Sequence, residues 1–481
     1  MTVFTLILNF YSLFFLSKGI IQNDTLNISS KYDADLTSKS LHEYVDRDVN
    51  PCDNFYKFTC GNWIKDKESK RKNKTDFNYN DFKTNFDNFI DEFETGKFND
   101  ESNTIKKIYN LIKKCDQFTD SERKECKSKI YKFGRYALGS LFSRKNKIDI
   151  EKYGDYIIIE NMVNRVKEEF KLLLDEKKDI FDEESRDNLL KKLFEIEFTK
   201  NYDLDEIPSV LLMEKCYESI GISKNISIEK VLGIIEASSK VNHTENSCGH
   251  KIFNSSYFLS DAIYKSASYD ITFNKFSIFP SGFKEPWFSR YFPQALNYGG
   301  IGFVMAHEML HAFDSNHYKY IYGIERKGKL IVTPESIKNV SKKLNCFIKQ
   351  YDMQKESKTM KNVNGSLTLA ENIADNGGLK IAHRAFMKYL ESIGGEEPKI
   401  PAFEDFTSEQ LFFISFGRLF CEHKSKFFME DEMKDEHTPA EIRINVALSN
   451  YKPFSNAFKC ELNSKMNLDY KCELWRNQKQ K

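Results

Sequence analysis

Residues 297–314 read NYGGIGFVMAHEMLHAFD and contain the motif HEMLH, which places His307 and His311 four residues apart. The apolar residues around the motif predict a helix over about residues 301–313, and side chains at i and i+4 lie on one face of a helix. Two imidazoles on one face can bind a single Zn²⁺, and Glu308 can act as the general base on a water molecule beside it. The alternative is a helix with two histidines and no metal, which would bury unpaired polar groups at a cost of several kcal/mol.

A catalytic zinc ion needs a third protein ligand and leaves one coordination position open. The segment ENIAD at residues 371–375 offers two carboxylates four residues apart, again on one helix face. Glu371 can be the third ligand, and Asp375 can accept a hydrogen bond from the far nitrogen of a ligating histidine. Alone, this segment would be an ordinary amphipathic helix, but together with HEMLH it indicates one metal site. The H-E-x-x-H-x-x-G-x-x-H extension is absent, which excludes the metzincin arrangement.

The composition limits the class of protein. The 481 residues include 72 Lys and Arg against 71 Asp and Glu, for a formal net charge of +1. That balance excludes a globally basic nucleic-acid binder, so we expect no nucleic-acid partner. A hydrophobic content of 40% is enough for a packed core, and the length predicts two or three domain-sized units. A mean hydropathy of −0.56 with one short apolar run excludes a multi-span membrane protein.

Apolar spacing along the chain predicts a mainly α fold with a small β element, an α+β class. From about residue 36 to residue 240 the pattern is helical, and the phenylalanine stripe at 82–93 is expected to lie in a core. The character changes near residue 257, and residues 271–279 are typical of a β segment. A further helical region is predicted at about 367–390, interrupted at Gly377 and Gly378.

The first 19 residues predict a secretory signal peptide. Residues 3–16 are an apolar run of about 14 residues, shorter than the roughly 20 that span a bilayer, and a cleavage point after Gly19 has small residues before it. The alternative is an uncleaved signal anchor, which would place the protein at the plasma membrane; no other stable membrane span is expected. Asn-x-Ser/Thr glycosylation sequons agree with a secretory route. They lie at Asn23, Asn27, Asn73, Asn225, Asn242, Asn254, Asn339 and Asn364.

The ten cysteines indicate the same compartment. No two of them form a C-x-x-C pair, so structural zinc sites and thioredoxin-like sites lose support. An even number of cysteines in an oxidising compartment pairs as disulfides. We therefore expect a secreted, glycosylated and disulfide-bonded protein.

Several motifs together resemble one protein family. NYGGIG at 297–302, HEMLHAFD at 307–314 and ENIADNGGL at 371–379 look like the signatures of the neprilysin and endothelin-converting enzyme family of zinc metallopeptidases. The resemblance covers most of the chain after residue 50. Further matching segments are PCDNFYKFTCGNW at 51–63, the residues from His437 to Arg443, and CELW at 472–475.

The resemblance implies a thermolysin-like zinc peptidase catalytic domain with a helical cap domain. His307, His311 and Glu371 resemble the family's zinc ligands, which hold one ion per chain. Glu308 resembles the catalytic base. Asp375 is similar to the aspartate that orients a ligating histidine.

Two residues further along the chain resemble the family's catalytic and substrate-binding groups. His437 resembles the histidine that stabilises the oxyanion of the tetrahedral intermediate, and Arg443 resembles the arginine that holds a substrate carbonyl. Cys216 and Cys248 are left over from the family's disulfide framework and could pair with each other. The disulfides implied by the resemblance are Cys52–Cys460, Cys60–Cys421, Cys115–Cys126 and Cys346–Cys472.

The cap domain departs from the family pattern. Only ten residues separate Cys115 from Cys126, where the family has a far longer stretch that builds much of the cap. We therefore expect a reduced cap. Larger peptides could enter, or the site could lose the closure that excludes water.

The substrate-binding strand also departs from the family, which has an Asn-Ala pair there. Counting back from Pro280 without gaps places Ala267 and Ser268 at the pair, whereas one inserted residue places Ser266 and Ala267 there, and we prefer the second alignment. The Asn amide is absent either way, so substrate binding should weaken by about 0.5–1.5 kcal/mol. A last departure is the tail at 476–481, which follows the residue where the family usually stops.

The predicted organisation has five parts. They are a signal peptide at 1–19, a linker at 20–50, a reduced helical cap domain at 51–250, a zinc metallopeptidase catalytic domain at 251–475 and a tail at 476–481.

The predicted function is a secreted zinc-dependent metalloendopeptidase, and the resemblance implies that it cuts peptides on the N-terminal side of hydrophobic residues. The alternative is a catalytically weak, zinc-containing module that binds peptides or proteins. The missing Asn and the reduced cap favour this alternative, whereas Glu308 argues against it because a binding site needs no general base. A metal-free structural protein is disfavoured because ligands and base coincide.

Overall fold

The computed structural model describes residues 32–70, 75–200, 209–223, 225–245, 247–255, 267–321 and 328–475. Within these ranges, no helix combines the length and the apolar character that a membrane span requires. Several predicted features lie outside the described residues. They are the signal peptide at 1–19, the first part of the linker at 20–31, the sequons at Asn23, Asn27 and Asn73, the substrate-strand residue Ser266 and the tail at 476–481.

Helices dominate the described chain, as the apolar spacing predicts. Before residue 260 they are α1 (Ala34–Tyr44), α2 (Phe55–Lys70), α3 (Asp81–Glu94), α4 (Asn103–Lys114), α5 (Asp120–Tyr153), α6 (Asp155–Asp175), α7 (Glu183–Phe194), α8 (Val210–Glu218), α9 (Ile228–Ser239) and α10 (Cys248–Phe253). After it they are α11 (Gln294–Asn297), α12 (Phe303–His311), α13 (Pro334–Asp352), α14 (Leu369–Ser392), α15 (Ser408–Arg418), α16 (Lys426–Glu432), α17 (Ala440–Ser449) and α18 (Lys452–Ala457).

The β structure is small and lies in three separate sheets. A three-stranded sheet has the order β2 (Glu197–Lys200), β4 (Lys275–Ile278), β3 (Ala267–Asp270), with β2 parallel and β3 antiparallel to β4. Strands β1 (Asn78–Asn80) and β7 (Glu422–Lys424) form an antiparallel ribbon. Strands β5 (Tyr320–Ile321) and β6 (Lys329–Leu330) form another. The predicted fold class, mainly α with a small β element, is confirmed.

Side-chain caps fix the starts of several helices. The carboxylate of Asp33 accepts a hydrogen bond from the backbone N–H of Leu36 at 2.9 Å, and α1 begins there. Thr407 and Gln410 form a reciprocal capping box at the start of α15. Such caps satisfy N–H groups that have no partner inside the helix, and each typically stabilises a helix by about 1 kcal/mol.

The buried apolar side chains form two clusters. The main cluster includes α1, α2, α6, α7 and the helices of the C-terminal half. The second cluster joins α3–α5 to α8–α10, and it contains the predicted phenylalanine stripe, in which Phe86, Phe89 and Phe93 are buried. We propose that the reduced cap consists of this second cluster alone, because the residues of α6 and α7 pack with the C-terminal helices although they lie within the predicted cap range of 51–250.

Helices α12 and α14 pack at unusually short range, and two glycines permit this. A Cβ atom on Gly378 would lie 3.0 Å from the backbone nitrogen of His307, and one on Gly377 would lie 2.4 Å from a methyl group of Leu310. The predicted interruption at Gly377 and Gly378 is wrong, because α14 runs through both residues without a break. The glycines serve the contact between the two helices, and that contact brings residue 371 to the HEMLH motif.

Five disulfides connect distant parts of the chain. Cys52–Cys460 and Cys60–Cys421 attach the start of the described chain to its C-terminal half. Cross-links over such long loops restrict the unfolded chain most strongly. All four pairings that the resemblance implies are present, and Cys216 and Cys248 also pair with each other. The remaining three bonds are Cys115–Cys126, Cys216–Cys248 and Cys346–Cys472.

Candidate active site

Three predicted metal ligands converge where α12 crosses α14. The Nε2 atoms of His307 and His311 lie 3.1 Å apart. The Glu371 carboxylate places one oxygen 3.3 Å from Nε2 of His307 and the other 3.4 Å from Nε2 of His311. His307 and Glu371 are buried, and His311 is partly buried. The structure therefore brings together the ligand set that HEMLH and ENIAD predict.

A carboxylate orients each histidine ligand. Nδ1 of His307 lies 3.0 Å from Asp375, as predicted, and Nδ1 of His311 lies 3.1 Å from Asp314. Both carboxylates are almost fully buried. A carboxylate at Nδ1 fixes the imidazole proton there and leaves the Nε2 lone pair free.

These contacts test whether the residues fit a metal. With both protons at Nδ1, two Nε2 lone pairs and an anionic carboxylate face one point, an arrangement that a shared cation stabilises. Two imidazoles and one carboxylate are the donor set of catalytic zinc sites. The residues present therefore fit Zn²⁺.

The electrostatics of the site agree with this fit. Burial raises the pKa of the Glu371 carboxyl, but hydrogen bonds from His307 and His437 outweigh burial and hold the pKa well below its usual range. Burial lowers the pKa of His307, but its hydrogen bonds to Asp375 and Glu371 raise the pKa to about 10. The protein thus stabilises positive charge strongly at the point where the three ligands meet.

Arg443 lies beside the ligands in a network of carboxylates. Its guanidinium donates to Asp375 at 2.6 and 2.8 Å and to Glu371 at 3.4 Å. Burial raises the pKa of Asp375, but the charge of Arg443 and the hydrogen bond from His307 outweigh burial and lower the pKa. Arg443 also lines the cleft. Its contacts with Asp375 and Glu371 are present in the structure. Its contact with a substrate carbonyl stays a prediction.

The predicted base and oxyanion donor face the same cleft. Glu308 is partly buried and lines the cleft together with His307. Nε2 of His437 lies 3.2 Å from Glu371, and its Nδ1 lies 2.6 Å from Asp435. Burial lowers the pKa of His437, but the hydrogen bond to Glu371, the charge of Glu371 and the hydrogen bond to Asp435 together outweigh burial and raise the pKa.

Sequence reasoning gave no role to Asp314 or Asp435. Each lies two or three residues from the histidine that it holds, so a carboxylate close to a candidate ligand or donor was the available signal.

The cleft has a volume of about 620 Å³ and is lined by both apolar and charged side chains. Ala267, on the edge strand β3, also lines the cleft. The β1–β7 ribbon contributes four lining residues, Asn78, Asn80, Glu422 and Lys424. The apolar lining residues, called the apolar wall here, are Trp287, Phe303, Val304, Leu419 and Phe420. Phe303 and Val304 lie one turn before His307 and Glu308 on α12.

The charged lining of the cleft holds more carboxylates than cations, with Lys424 and Arg443 against Glu308, Glu422, Asp431, Glu432 and Asp435. The ammonium of Lys424 pairs with Glu422 at 2.5 Å and with Glu432 at 2.6 Å, so two carboxylates share one cation. Burial, followed by the charge of Glu422, raises the pKa of Glu432 to about 7.

The pKa of Glu432 predicts a pH-dependent effect of its neutralisation. When the pKa of a carboxyl is higher in the folded than in the unfolded state, the folded protein becomes less stable as pH rises through the folded-state pKa. Glu432→Gln is therefore expected to raise the melting temperature more at pH 8 than at pH 5. Thermal unfolding at both pH values tests this, with Glu430→Gln on the exposed side of α16 as the control. An equal shift at pH 5 and pH 8 would refute the prediction.

Comparisons with known proteins agree with the geometry. Residues 262–474 match the family model described as Peptidase family M13. Neprilysin-11 of Caenorhabditis elegans is 39% identical over 41% of this chain and 23% of its own length. Endothelin-converting enzyme 1 of Rattus norvegicus is 38% identical over 44% of this chain and 27% of its own length. An endothelin-converting enzyme homolog of Locusta migratoria is 31% identical over 71% of this chain and 45% of its own length. The chain thus spans less than half the length of these curated relatives.

Solved structures share the fold. The Mycobacterium tuberculosis zinc metalloprotease ZMP1 in complex with an inhibitor has a TM-score of 0.56 at 20% identity, covering 75% of this chain and 52% of its own. A chain of the Haemonchus galactose containing glycoprotein complex has a TM-score of 0.53 at 23% identity. The match covers 73% of this chain and 55% of the Haemonchus chain. The likeness supports the predicted thermolysin-like architecture of the zinc peptidases. With the matched residues 262–474 and the convergent ligand set, the chain carries a domain of peptidase family M13, the family of neprilysin and the endothelin-converting enzymes.

Proposed function

We propose that this protein is a secreted zinc-dependent metalloendopeptidase. The convergence of His307, His311 and Glu371 in a cleft that also holds Glu308 and His437 carries the proposal. When bound, the zinc ion supplies Lewis-acid polarisation of a substrate carbonyl.

The chain's own groups have separate roles in the proposed reaction. Glu308 accepts a proton from the attacking water molecule and delivers it to the leaving amine. His437 donates a hydrogen bond from Nε2 to the oxygen on which negative charge develops, and Asp435 at Nδ1 holds its ring in place. Asp375 and Asp314 keep the two histidine ligands in the tautomer that a metal requires.

The shape of the cleft supports cleavage on the N-terminal side of hydrophobic residues. The apolar wall includes Phe303 and Val304, one turn before His307 and Glu308 on α12, and the side chain after the cut bond would be held against this wall. Burying an apolar side chain against it contributes about 25 cal/mol per Å² of area removed from water. Among the described residues β3 is an edge strand, so its backbone near Ala267 can pair with an extended peptide, although residue 267 carries no Asn amide to hold the peptide backbone.

Secretion rests on two independent features. Five disulfides are typical of proteins from oxidising compartments. The predicted signal peptide at 1–19 and the sequons agree, and an uncleaved anchor at the plasma membrane is the alternative.

A second candidate function is a zinc-containing module that binds peptides and turns them over poorly. The small second cluster favours it, because a reduced cap covers the cleft less completely and excludes less water. The partly buried Glu308 at the cleft favours the peptidase.

Digestion of a peptide library by the purified, zinc-loaded protein separates the two functions. We expect cuts on the N-terminal side of hydrophobic residues, loss of cutting after chelation and recovery after zinc is restored. The Glu308→Gln variant, purified identically, controls for contaminating peptidases. A zinc-loaded protein that binds library peptides but cuts none would refute the peptidase and support the binding module.

A further inference from the structure

A buried lysine lies behind the metal site. Lys192, on α7, is 2% exposed, and its ammonium donates to three backbone carbonyls. The acceptor oxygens belong to Ala312 at 2.6 Å, His317 at 2.8 Å and Tyr320 at 2.7 Å. All three of its donors are thus satisfied by one short stretch of chain more than a hundred residues away.

That stretch, residues 312–320, is the loop that follows α12. Ala312 caps the C-terminal end of α12, directly after the ligand His311. Asp314 lies inside the loop, and its carboxylate accepts from Nδ1 of His311 and from the backbone N–H groups of Asn316 and His317. The position of the loop therefore determines the position of the Asp314 carboxylate, which orients His311.

A buried cation at this place carries a desolvation cost. Burial lowers the pKa of Lys192 to about 7, while the charge of Asp314 acts in the opposite direction. The three carbonyl acceptors offset that cost, and they all lie in the loop after α12. A cation at the end of α12 also interacts favourably with the carbonyl end of the helix dipole. The geometry thus favours a role in holding the loop.

We propose that Lys192 is a positioning residue for the metal site, which fixes residues 312–320 so that Asp314 holds the ring of His311 with Nε2 toward the shared metal. The proposal rests on the proposed function only in taking zinc as the metal. It concerns metal binding, and it can be tested whether or not the protein cuts peptides.

The test compares Lys192→Met with Lys177→Met. Lys177 is also fully buried, and its ammonium has no hydrogen-bond partner in the part of the chain that the structure describes. Apo-protein is titrated with Zn²⁺ in competition with a chromophoric chelator, and the visible spectrum of the Co²⁺-loaded protein is recorded. We expect Lys192→Met to weaken zinc binding about 10–100-fold and to change the cobalt spectrum, while Lys177→Met changes neither.

A double-mutant cycle with Asp314→Asn tests the route of the effect. If Lys192 acts through Asp314, the two substitutions together weaken zinc binding little more than Asp314→Asn alone. Lys192→Gln, which retains a donor, serves in the same cycle if the methionine variant does not fold. Folded Lys192 variants with wild-type zinc affinity and an unchanged cobalt spectrum would overturn the proposal, and so would fully additive effects. A wild-type protein that binds zinc but cuts no peptide would overturn only the proposed function.

Discussion

Replacing Glu308 with glutamine is expected to lower kcat for peptide hydrolysis about 10²–10⁴-fold, because the variant cannot accept a proton from the attacking water. The zinc content should not change, since Glu308 lies outside the cluster of His307, His311 and Glu371. Glutamine has nearly the same shape, so KM should change little. Steady-state kinetics on a quenched peptide, with zinc measured by elemental analysis, give all three quantities.

The matched control for this variant is Glu335→Gln, an exposed glutamate at the start of α13 and outside the cleft. It should retain wild-type kinetics. Equal turnover by wild type and Glu308→Gln would show that another group accepts the proton.

Replacing Asp375 with asparagine is expected to damage both metal binding and stability. The carboxylate is 1% exposed, lies 3.0 Å from Nδ1 of His307 and accepts hydrogen bonds from the guanidinium of Arg443. Loss of the contact to a histidine ligand should weaken zinc binding about 10–100-fold. Removing one partner of a buried ion pair should lower the free energy of unfolding by about 3–5 kcal/mol. Chelator competition measures the first effect, and denaturant unfolding of the apo-protein measures the second.

Asp405→Asn is the control for the effect on stability. Asp405 also pairs with an arginine, Arg47, but both side chains are largely exposed. Exposed pairs typically contribute about 0–1 kcal/mol. If Asp375→Asn and Asp405→Asn destabilise the apo-protein equally, the buried network around Arg443 does not stabilise the fold.

The metal ligands were predictable because each pair lies on a single helix. The spacing of His307 and His311 on α12, and of Glu371 and Asp375 on α14, places each pair on one face without any tertiary information. The crossing of the two helices was not predictable in the same way. Gly377 was interpreted as a break, whereas it lies against Leu310 and allows close packing.

The β region shows a similar limit. Residues 271–279 were predicted as one segment, but the structure has a hairpin, with Asn274 at φ +52° between β3 and β4. The carboxylate of Asp270 accepts from the backbone N–H of Thr272, a turn signal that can be read in a sequence. Ile271 and Phe273 are apolar, so the alternating pattern predicted one continuous strand in place of the turn.

Contacts between distant residues set the rest of the site. Lys192 lies on α7 and finds its acceptors at residues 312–320, so no local pattern marks it as part of the metal site. Asp314, by contrast, stands three residues after His311 and was accessible from spacing.

Zinc stoichiometry together with hydrolysis tests the central claim most directly. Wild type and His311→Ala are stripped with a chelator, reloaded, freed of excess metal and analysed for zinc and for cleavage of a peptide library. The account predicts one zinc ion per chain and cleavage in the wild type, and the loss of both in His311→Ala. Equal zinc content in the two proteins, or cleavage by stripped wild type, would contradict it.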